Sequence, residues 1–393
     1  MPTFVIHDRA LAAPALDALA SFGVECTIRE ISSEPRLAEY SNALCGGLHN
    51  ILVVSDSRAL VDPKPADIAH YFGKGKTEDE RSNFDALILG AGPAGMTAAI
   101  YLSRANLCAA VIEEMIPGGL MTKTDEIENY PGFPEPVNGF ELSMRMEQQA
   151  RRFGTHFLSG KVERVLLTTP LKEATFAGRS VWAPNIVIAT GTAHRKMGVP
   201  GEDENYGRGV SYCATCDGPL FRDKVLTVVG GGDSAIQEAL FLSKLASKVK
   251  IVHRRDELRA EKILQERAFG TPNIEFVWNS TPVEVVSGPD GVTGLKVRNK
   301  LSGEESVVPC DGVFVFIGLL PRTGVNGFDA LGRDDNGFLL ATGNTATDLP
   351  GVFVAGDLRS GNYRQIATAV GDGASASHEA ETHLMGLDLP SLP

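Results

Sequence analysis

The sequence predicts an α/β protein in which two similar strand, glycine turn and helix units form parallel sheets covered by helices, with a small separate α/β unit in front. Three observations carry this. From Phe84 onward, apolar strand-like runs alternate with helical periodicity over long stretches, the pattern of parallel sheets. A glycine-rich turn between an apolar strand and a helix occurs twice. The first seventy or so residues repeat short strands and helices on a smaller scale and end in a polar, glycine-bearing stretch, 74–83. At 393 residues the chain exceeds one core, and at about 150 residues per domain two to three are expected.

The N-terminal segment 1–73 is read in order. "TFVIH" is a strand, "APALDALASFG" an amphipathic helix stopped by Gly23, and "VECTIREI" a second strand. "PRLAEYSNAL" follows as a helix, "HNILVVSD" as a third strand and "PADIAHYFG" as a last helix. "KGKTEDERSN" is charged and polar and reads as a linker.

"FDALILGAGPAGMTAAIYLSRA" carries Gly90-x-Gly92-x-x-Gly95 between strand and helix. Gly90 permits the tight turn, Gly92 lets the backbone approach a pyrophosphate, and Gly95 allows close packing of helix and strand. Pro93 and Ala94 open the helix, whose N-terminal N–H groups attract anions. The next strand, "LCAAVIEE", brings Glu113, a carboxylate suited to ribose hydroxyls and repelling a 2′-phosphate. FAD or NAD therefore suits this unit better than NADP.

"KVLTVVGGGDSAIQEALFLSKLASKVKIVHRRDELRAEK" repeats the design with Gly230, Gly232 and Ala235 in the glycine positions and Asp233 and Ser234 at the helix start. Here the second strand ends in His253, Arg254 and Arg255, with Arg259 close behind. Guanidinium forks bind phosphate bidentately, so this unit should prefer NADPH to NADH.

Six cysteines are too few for a disulfide framework, and Cys26, Cys45, Cys108 and Cys310 stand singly among apolar neighbours as core residues. Only Cys213 and Cys216, in "SYCATCDGPL", are closely spaced. A structural zinc site needs four ligands, and no second pair exists, so no metal is expected. A CxxC without an export signal is read as redox-active. Asp217 directly after it is a candidate general acid and base, or alternatively a helix cap. Two unlike nucleotide sites with a dithiol imply an electron path from NADPH through a flavin to sulfur.

Composition narrows the rest. A formal net charge of −12 argues against nucleic acid and against an anionic membrane surface. No run of about 18 apolar residues could span a bilayer. The N-terminus lacks a basic start followed by an apolar core, so a cytoplasmic location is expected.

Taken together, CATCDG and HRRxxxRA resemble the low-molecular-weight, bacterial-type thioredoxin reductases over about Phe84 to Leu387. That resemblance implies an FAD/NAD(P)-binding three-layer fold with Rossmann-like domains. The NADPH domain, 200–309, is inserted in a discontinuous FAD domain, 84–199 and 310–387, followed by a tail, 388–393. It implies Gly119, Leu120, Asn129, Ala189, Thr190, Gly191, Gly356, Asp357, Arg364, Gln365 and Ile366 as further FAD residues. Cys216 would face the flavin and Cys213 would attack the substrate disulfide. The two domains would rotate against each other about 198–209 and 309–318. Thioredoxin as protein substrate and a homodimer also follow. Leu120 stands where the family has glutamine, which removes one polar contact near the flavin and leaves FAD binding in place. The N-terminal unit resembles the thioredoxin or glutaredoxin fold without its chemistry, since "HDRALA" replaces the CxxC and "LHN" the stretch before the third strand that carries proline. A docking or dimer-forming role, or that of a plain appendage, is expected of it. Peroxiredoxin-reducing flavoproteins are similar in having thioredoxin-fold domains ahead of such a core, but theirs are longer and hold a working CxxC. Reduction of a peroxiredoxin or glutaredoxin-like partner, or a binding and sensing role for the flavin core, are the alternative functions.

Overall fold

In the computed structural model of the chain, residues 2–55, 58–72, 81–124, 127–289 and 291–393 are described, Ser55 and Cys216 by their backbone alone. The N-terminal unit runs β1 (Thr3–Ile6), α1 (Arg9–Ser21), β2 (Thr27–Glu30), α2 (Arg36–Cys45), β3 (Ile51–Ser55), β4 (Arg58–Val61) and α3 (Pro65–Tyr71). Asp8 caps α1 by accepting from the backbone N–H groups of Ala10 and Leu11, and Gly46, at φ 78°, ends α2 in the left-handed conformation. The sheet order is β2-β1-β3-β4, with β1 parallel to β2, and β3 antiparallel to both β1 and β4. Three strands are expected from the sequence. The fourth, β4, reads Arg-Ala-Leu-Val, which shows neither an alternating pattern nor a run of β-branched residues.

Most of the segment read as a linker, residues 74–80, lies outside the described residues. Its end does not: Arg81, Ser82 and Asn83 are buried. The Asp67 carboxylate accepts from the backbone N–H groups of Ser82 and Asn83 and from the Ser82 hydroxyl, so this end is anchored to α3. The N-terminal unit is also joined to the rest by apolar packing. Val5, Leu37, Leu44 and Leu52 share a core with Leu171, Trp182 and, from the C-terminal tail, Leu387, Leu389 and Leu392.

The first nucleotide unit contains β5 (Ala86–Leu89), α4 (Pro93–Arg104), β6 (Ala109–Glu113), α5 (Gly139–Arg152) and β7 (His156–Ser159). An antiparallel trio follows, β8 (Val162–Leu166), β9 (Lys172–Phe176) and β10 (Arg179–Ala183), and then β11 (Asn185–Ile188). β12 (Thr192–His194) leads into the second unit, which begins with β13 (Val210–Ser211), α6 (Ala214–Asp217), β14 (Val225–Val229), α7 (Asp233–Ser243) and β15 (Lys248–Val252). It continues with α8 (Lys262–Gly270), β16 (Ile274–Val277), the trio β17 (Ser280–Gly288), β18 (Gly291–Asn299) and β19 (Glu305–Pro309), and β20 (Gly312–Val315). The chain returns through β21 (Leu319–Pro321) to β22 (Val352–Val354) and α9 (Ile366–Met385).

Both units are layered alike. The parallel sheet β22-β11-β5-β6-β7 buries Ala86 and Ile88 under α4, α5 and α9, and Leu87 and Leu89 under the β8–β10 trio. The second parallel sheet, β13-β20-β14-β15-β16, has α7 and α8 on one face and the β17–β19 trio on the other. Strands buried on both faces explain the continuous apolar runs in the sequence. Because β22 lies beside β11, the first unit is completed only after the chain has passed through the second.

The crossing itself is a two-stranded ribbon. β12 and β21 pair antiparallel, with Thr192 opposite Pro321 and His194 opposite Leu319. The resemblance puts the return at 309/310, between Pro309 and Cys310. β20, however, pairs with β13 and β14 and belongs to the second sheet, so the return lies some ten residues later. Pro309 ends β19 and marks the trio's edge, not the unit's.

Candidate functional site

The first glycine turn is closed on the protein side and open on the other. Gly90 has φ 101°, and a Cβ there would lie 2.5 Å from the carbonyl oxygen of Ala189 and 3.2 Å from Cα of Thr190. At Gly95 a Cβ would lie 2.0 Å from the Gly90 carbonyl oxygen, which is why helix and strand can touch here. Around Gly92, in contrast, nothing lies within 4 Å of a Cβ position, and the helix start at Pro93 has no side-chain cap over the N–H groups that begin at Ala94. That leaves room for a phosphate.

The other residues of this site converge from distant parts of the chain. Gly119 approaches Cα of Gly92 to 3.4 Å from its Cβ position, and that of Gly356 lies 2.9 Å from Cβ of Ala94. Asn129 donates to the Gln365 side-chain oxygen at 2.9 Å, and the Thr190 hydroxyl donates to the Arg322 carbonyl at 2.9 Å. Gly191 has open space at its Cβ position, Leu120 is half-buried, and Ile366 packs on the core beneath. Glu113 accepts from the backbone N–H of Ala91 at 2.7 Å and of Met115 at 3.0 Å, so its carboxylate is fastened to the glycine turn. The Arg364 guanidinium lies over the Phe338 ring at 4.1 Å.

Asp357 accepts no hydrogen bond from the described residues, and burial pushes its carboxyl up to about 6, against the opposing pull of Arg364 and with a further push from Asp372. Asp372, which fastens the loop bearing Asp357, is a residue that sequence reasoning misses. It is buried, takes both Arg359 nitrogens at 2.8 and 2.9 Å, the Asn362 amide at 2.7 Å and the Gly356 N–H at 3.0 Å, and thereby ties the Asp357 loop to α9. An acid within an otherwise small and apolar helical stretch is the one signal that could have found it.

At the second glycine turn, a Gly230 Cβ would lie 2.3 Å from the Phe316 carbonyl oxygen, whereas Ala235 is accommodated where the first turn has Gly95. Gly232 again has open space. His253 is buried against Gly231, its Nε2 has no hydrogen-bond partner, and burial followed by Arg259 lowers its pKa. Asp233 accepts from the Glu261 N–H at 2.7 Å, and Ser234 is exposed. Arg254, Arg255 and Arg259 are all exposed, and none has a side-chain partner among the described residues.

Cys213 is disulfide-bonded and buried, while Cys26, Cys45, Cys108 and Cys310 are free thiols. The side chain of Cys216 lies outside the described residues. Its backbone is in α6, and α6 sits on the Gly119–Lys123 turn of the first unit, with Cys213 Sγ 3.8 Å from the Lys123 carbonyl oxygen. Asp217 begins the following turn without making a side-chain cap, and its carboxylate has no hydrogen bond among the described residues. Across the same seam Arg267 pairs with Glu128 at 2.9 Å, and Tyr363 donates to Glu261 at 3.3 Å. A cavity of about 310 Å³ lies there between Thr124, Glu128, Thr215, Phe241 and Arg267. Among the buried polar atoms without partners, Thr215 Oγ1 belongs to a residue lining this cavity, and Thr192 Oγ1 and His194 Nε2 lie on the joining strand β12. Two open glycine turns, a buried carboxylate without a donor and these orphaned atoms are what a site shaped for two nucleotides presents.

The family described as pyridine nucleotide-disulphide oxidoreductase matches residues 84–373. The thioredoxin reductase of Listeria monocytogenes is 47% identical over 306 residues, covering 78% of this chain and 95% of that protein. That of Bacillus subtilis is 45% identical, covering 78% and 96%. The chain belongs to this family, among the bacterial-type thioredoxin reductases. Among solved structures, Lactococcus lactis thioredoxin reductase matches with 41% identity and a TM-score of 0.75, covering 77% of this chain and all of that one. The enzyme from T. acidophilum matches with 33% identity and a TM-score of 0.74. The family match begins at residue 84, beyond the N-terminal unit. Members use FAD and a pyridine nucleotide, and the residues described above fit both. No helix among the described residues is long and apolar enough to cross a membrane.

Proposed function

We propose that the chain is a flavoprotein that reduces thioredoxin, converting NADPH, a proton and oxidised thioredoxin into NADP+ and the thioredoxin dithiol. The observation that carries this reading is the seating of the disulfide-bonded Cys213, which belongs to one nucleotide unit, on the Gly119–Lys123 turn of the other. Bound FAD supplies the step between donors of a hydride and a disulfide that accepts two electrons. In the first unit, Gly92 and the start of α4 hold the pyrophosphate, Glu113 the ribose and Asp357 the ribityl hydroxyls, with Asn129, Gln365 and Ile366 at the ring. In the second, Gly232, Asp233 and Ser234 hold the nucleotide phosphates, and the unpaired Arg254, Arg255 and Arg259 select the 2′-phosphate of NADPH.

Reduction leaves Cys213 and Cys216 as thiols. The Cys213 thiolate attacks the disulfide of thioredoxin, one substrate sulfur leaves, and Cys216 then attacks the mixed disulfide, restoring the Cys213–Cys216 bond and releasing the second substrate sulfur. Asp217 supplies and takes up the proton. Cys213 is buried in the resting arrangement, so the units turn to bring it outward; β20 fixes 312–315 within the second sheet, which moves the pivot expected at 309–318 to the β12–β21 ribbon beside 198–209. The N-terminal unit is a thioredoxin-like domain without a dithiol; its sheet order and the parallel β1–β2 pair support this. We infer a cytoplasmic homodimer in which this unit docks a partner or a second copy.

The test is the visible spectrum of the purified protein before and after anaerobic NADPH, followed by turnover with thioredoxin. A yellow protein bleached by NADPH is expected, with Cys213→Ser bleaching normally and failing to turn over. A colourless protein that takes up no FAD overturns the proposal, and a tenfold preference for a peroxiredoxin or glutaredoxin-like acceptor, about 1.4 kcal/mol in transition-state binding, overturns the choice of substrate.

A further inference from the structure

The ribbon that joins the two nucleotide units carries a histidine with no part in the disulfide chemistry above. His194 ends β12, opposite Leu319 of β21. Its ring stacks on Tyr212, with centroids 6.1 Å apart and planes at 26°, and meets Phe316 edge-on at 6.4 Å. Tyr212 immediately precedes Cys213. Its hydroxyl donates to Glu202 at 2.5 Å, and the same carboxylate accepts from the backbone N–H groups of Met197 at 2.8 Å and Gly198 at 2.6 Å, in the segment leading off the ribbon. Cys213 is in turn held locally, its N–H donating to the Ser211 hydroxyl at 3.0 Å. A continuous set of contacts thus runs from ribbon to ring to the residue before the dithiol.

The state of the imidazole suits this position. Burial, with Lys123 and then Arg322 adding to it, pulls its pKa down to about 4, so the ring is neutral in the physiological range. A neutral ring stacks without bringing a third positive charge against Lys123 and Arg322. Lys123 is the residue whose carbonyl oxygen faces Cys213 Sγ, so His194 stands at the point where ribbon, dithiol and FAD half meet.

We propose that His194 is a positioning residue of the redox centre: its ring, fixed on the joining ribbon, seats Tyr212 and through it holds the Cys213 helix against the FAD half between turnovers. This rests on the reading of the chain as a flavin-dependent disulfide reductase. The experiment compares wild type, His194→Ala and His194→Phe as FAD-loaded full chains reduced anaerobically with NADPH. Two quantities are read: the rate of Cys213 alkylation by iodoacetamide, followed by peptide mass, and the long-wavelength absorbance of thiolate-to-flavin charge transfer. His194→Ala is expected to be alkylated about two- to tenfold faster, the equilibrium factor of one aromatic pair, with weaker charge transfer. His194→Phe, which keeps the ring and loses the nitrogens, is expected to return both readouts to the wild-type values. Wild-type behaviour of the alanine variant overturns the proposal, and so does a phenylalanine variant as altered as alanine. Flavin content and melting temperature, measured alongside, separate misfolding from repositioning. Should NADPH fail to bleach the wild-type flavin, the enzyme reading itself falls, and the role of His194 with it.

Discussion

The two nucleotide units share a plan and differ in how firmly they are finished. In the first, Gly95 lets α4 touch the Gly90 carbonyl, Glu113 is tied to the turn, and Asp372 fastens the loop bearing Asp357. In the second, Ala235 stands in the helix position and Arg254, Arg255 and Arg259 are exposed, with no side-chain partner among the described residues. One design builds a berth and the other a landing. Such a contrast suits a resident cofactor in the first unit and an exchanging one in the second, because pre-formed, fastened contacts slow release while exposed charges speed encounter.

The comparison can be broken most strongly at the arginines. Arg254→Ala combined with Arg255→Ala should narrow the NADPH over NADH preference by about a hundredfold or more, each charged hydrogen bond being worth about 1.5–3 kcal/mol. Steady-state kcat/KM with both nucleotides measures it, and an unchanged ratio would remove the assignment. Next comes the pair Gly95→Ala and Ala235→Gly. A methyl at 95 must displace the Gly90 carbonyl, costing about 1–3 kcal/mol of stability and releasing FAD. The reverse change at 235 should cost no more than about 1 kcal/mol. Thermal melts and flavin content of the two variants check this, and equal effects would erase the distinction between the turns.

The smallest effect concerns pH. Asp357, raised to about 6 in the folded chain, destabilises the apoprotein fully above that pH, and this cost fades as pH falls from about 6 towards 4. Hydrogen bonds from a ribityl chain favour the ionised form, so FAD affinity should weaken as pH falls from 7 to 5, by up to about tenfold. Fluorescence titration of the apoprotein reads it, and Asp357→Asn should flatten the profile.

What was legible in the sequence was local. A strand, three small residues and a helix lie within some twenty positions, so both glycine turns and the signs of Glu113 and Arg254 could be read directly. Contacts made across the chain could not. The β12–β21 ribbon pairs residues separated by the whole second unit, and the place of β20 in the second sheet is likewise fixed by pairing with the distant β13 and β14. Asp372 resembles any helical acid until Arg359, Asn362 and Gly356 are seen around it. β4 is as short as β1 and β2, but those begin on a β-branched threonine whereas it begins on an arginine followed by alanine and leucine, so its sequence gives no strand signal.

The apolar packing of Leu387, Leu389 and Leu392 into the N-terminal unit makes two distant stretches of chain depend on one another. Part of the interior of that unit is lent by residues that follow both nucleotide units, so the small sheet is sealed only when 387–392 is in place. Clipping there would bare aliphatic surface on a region that shares no cofactor with the rest, and damage at one end would be felt at the other.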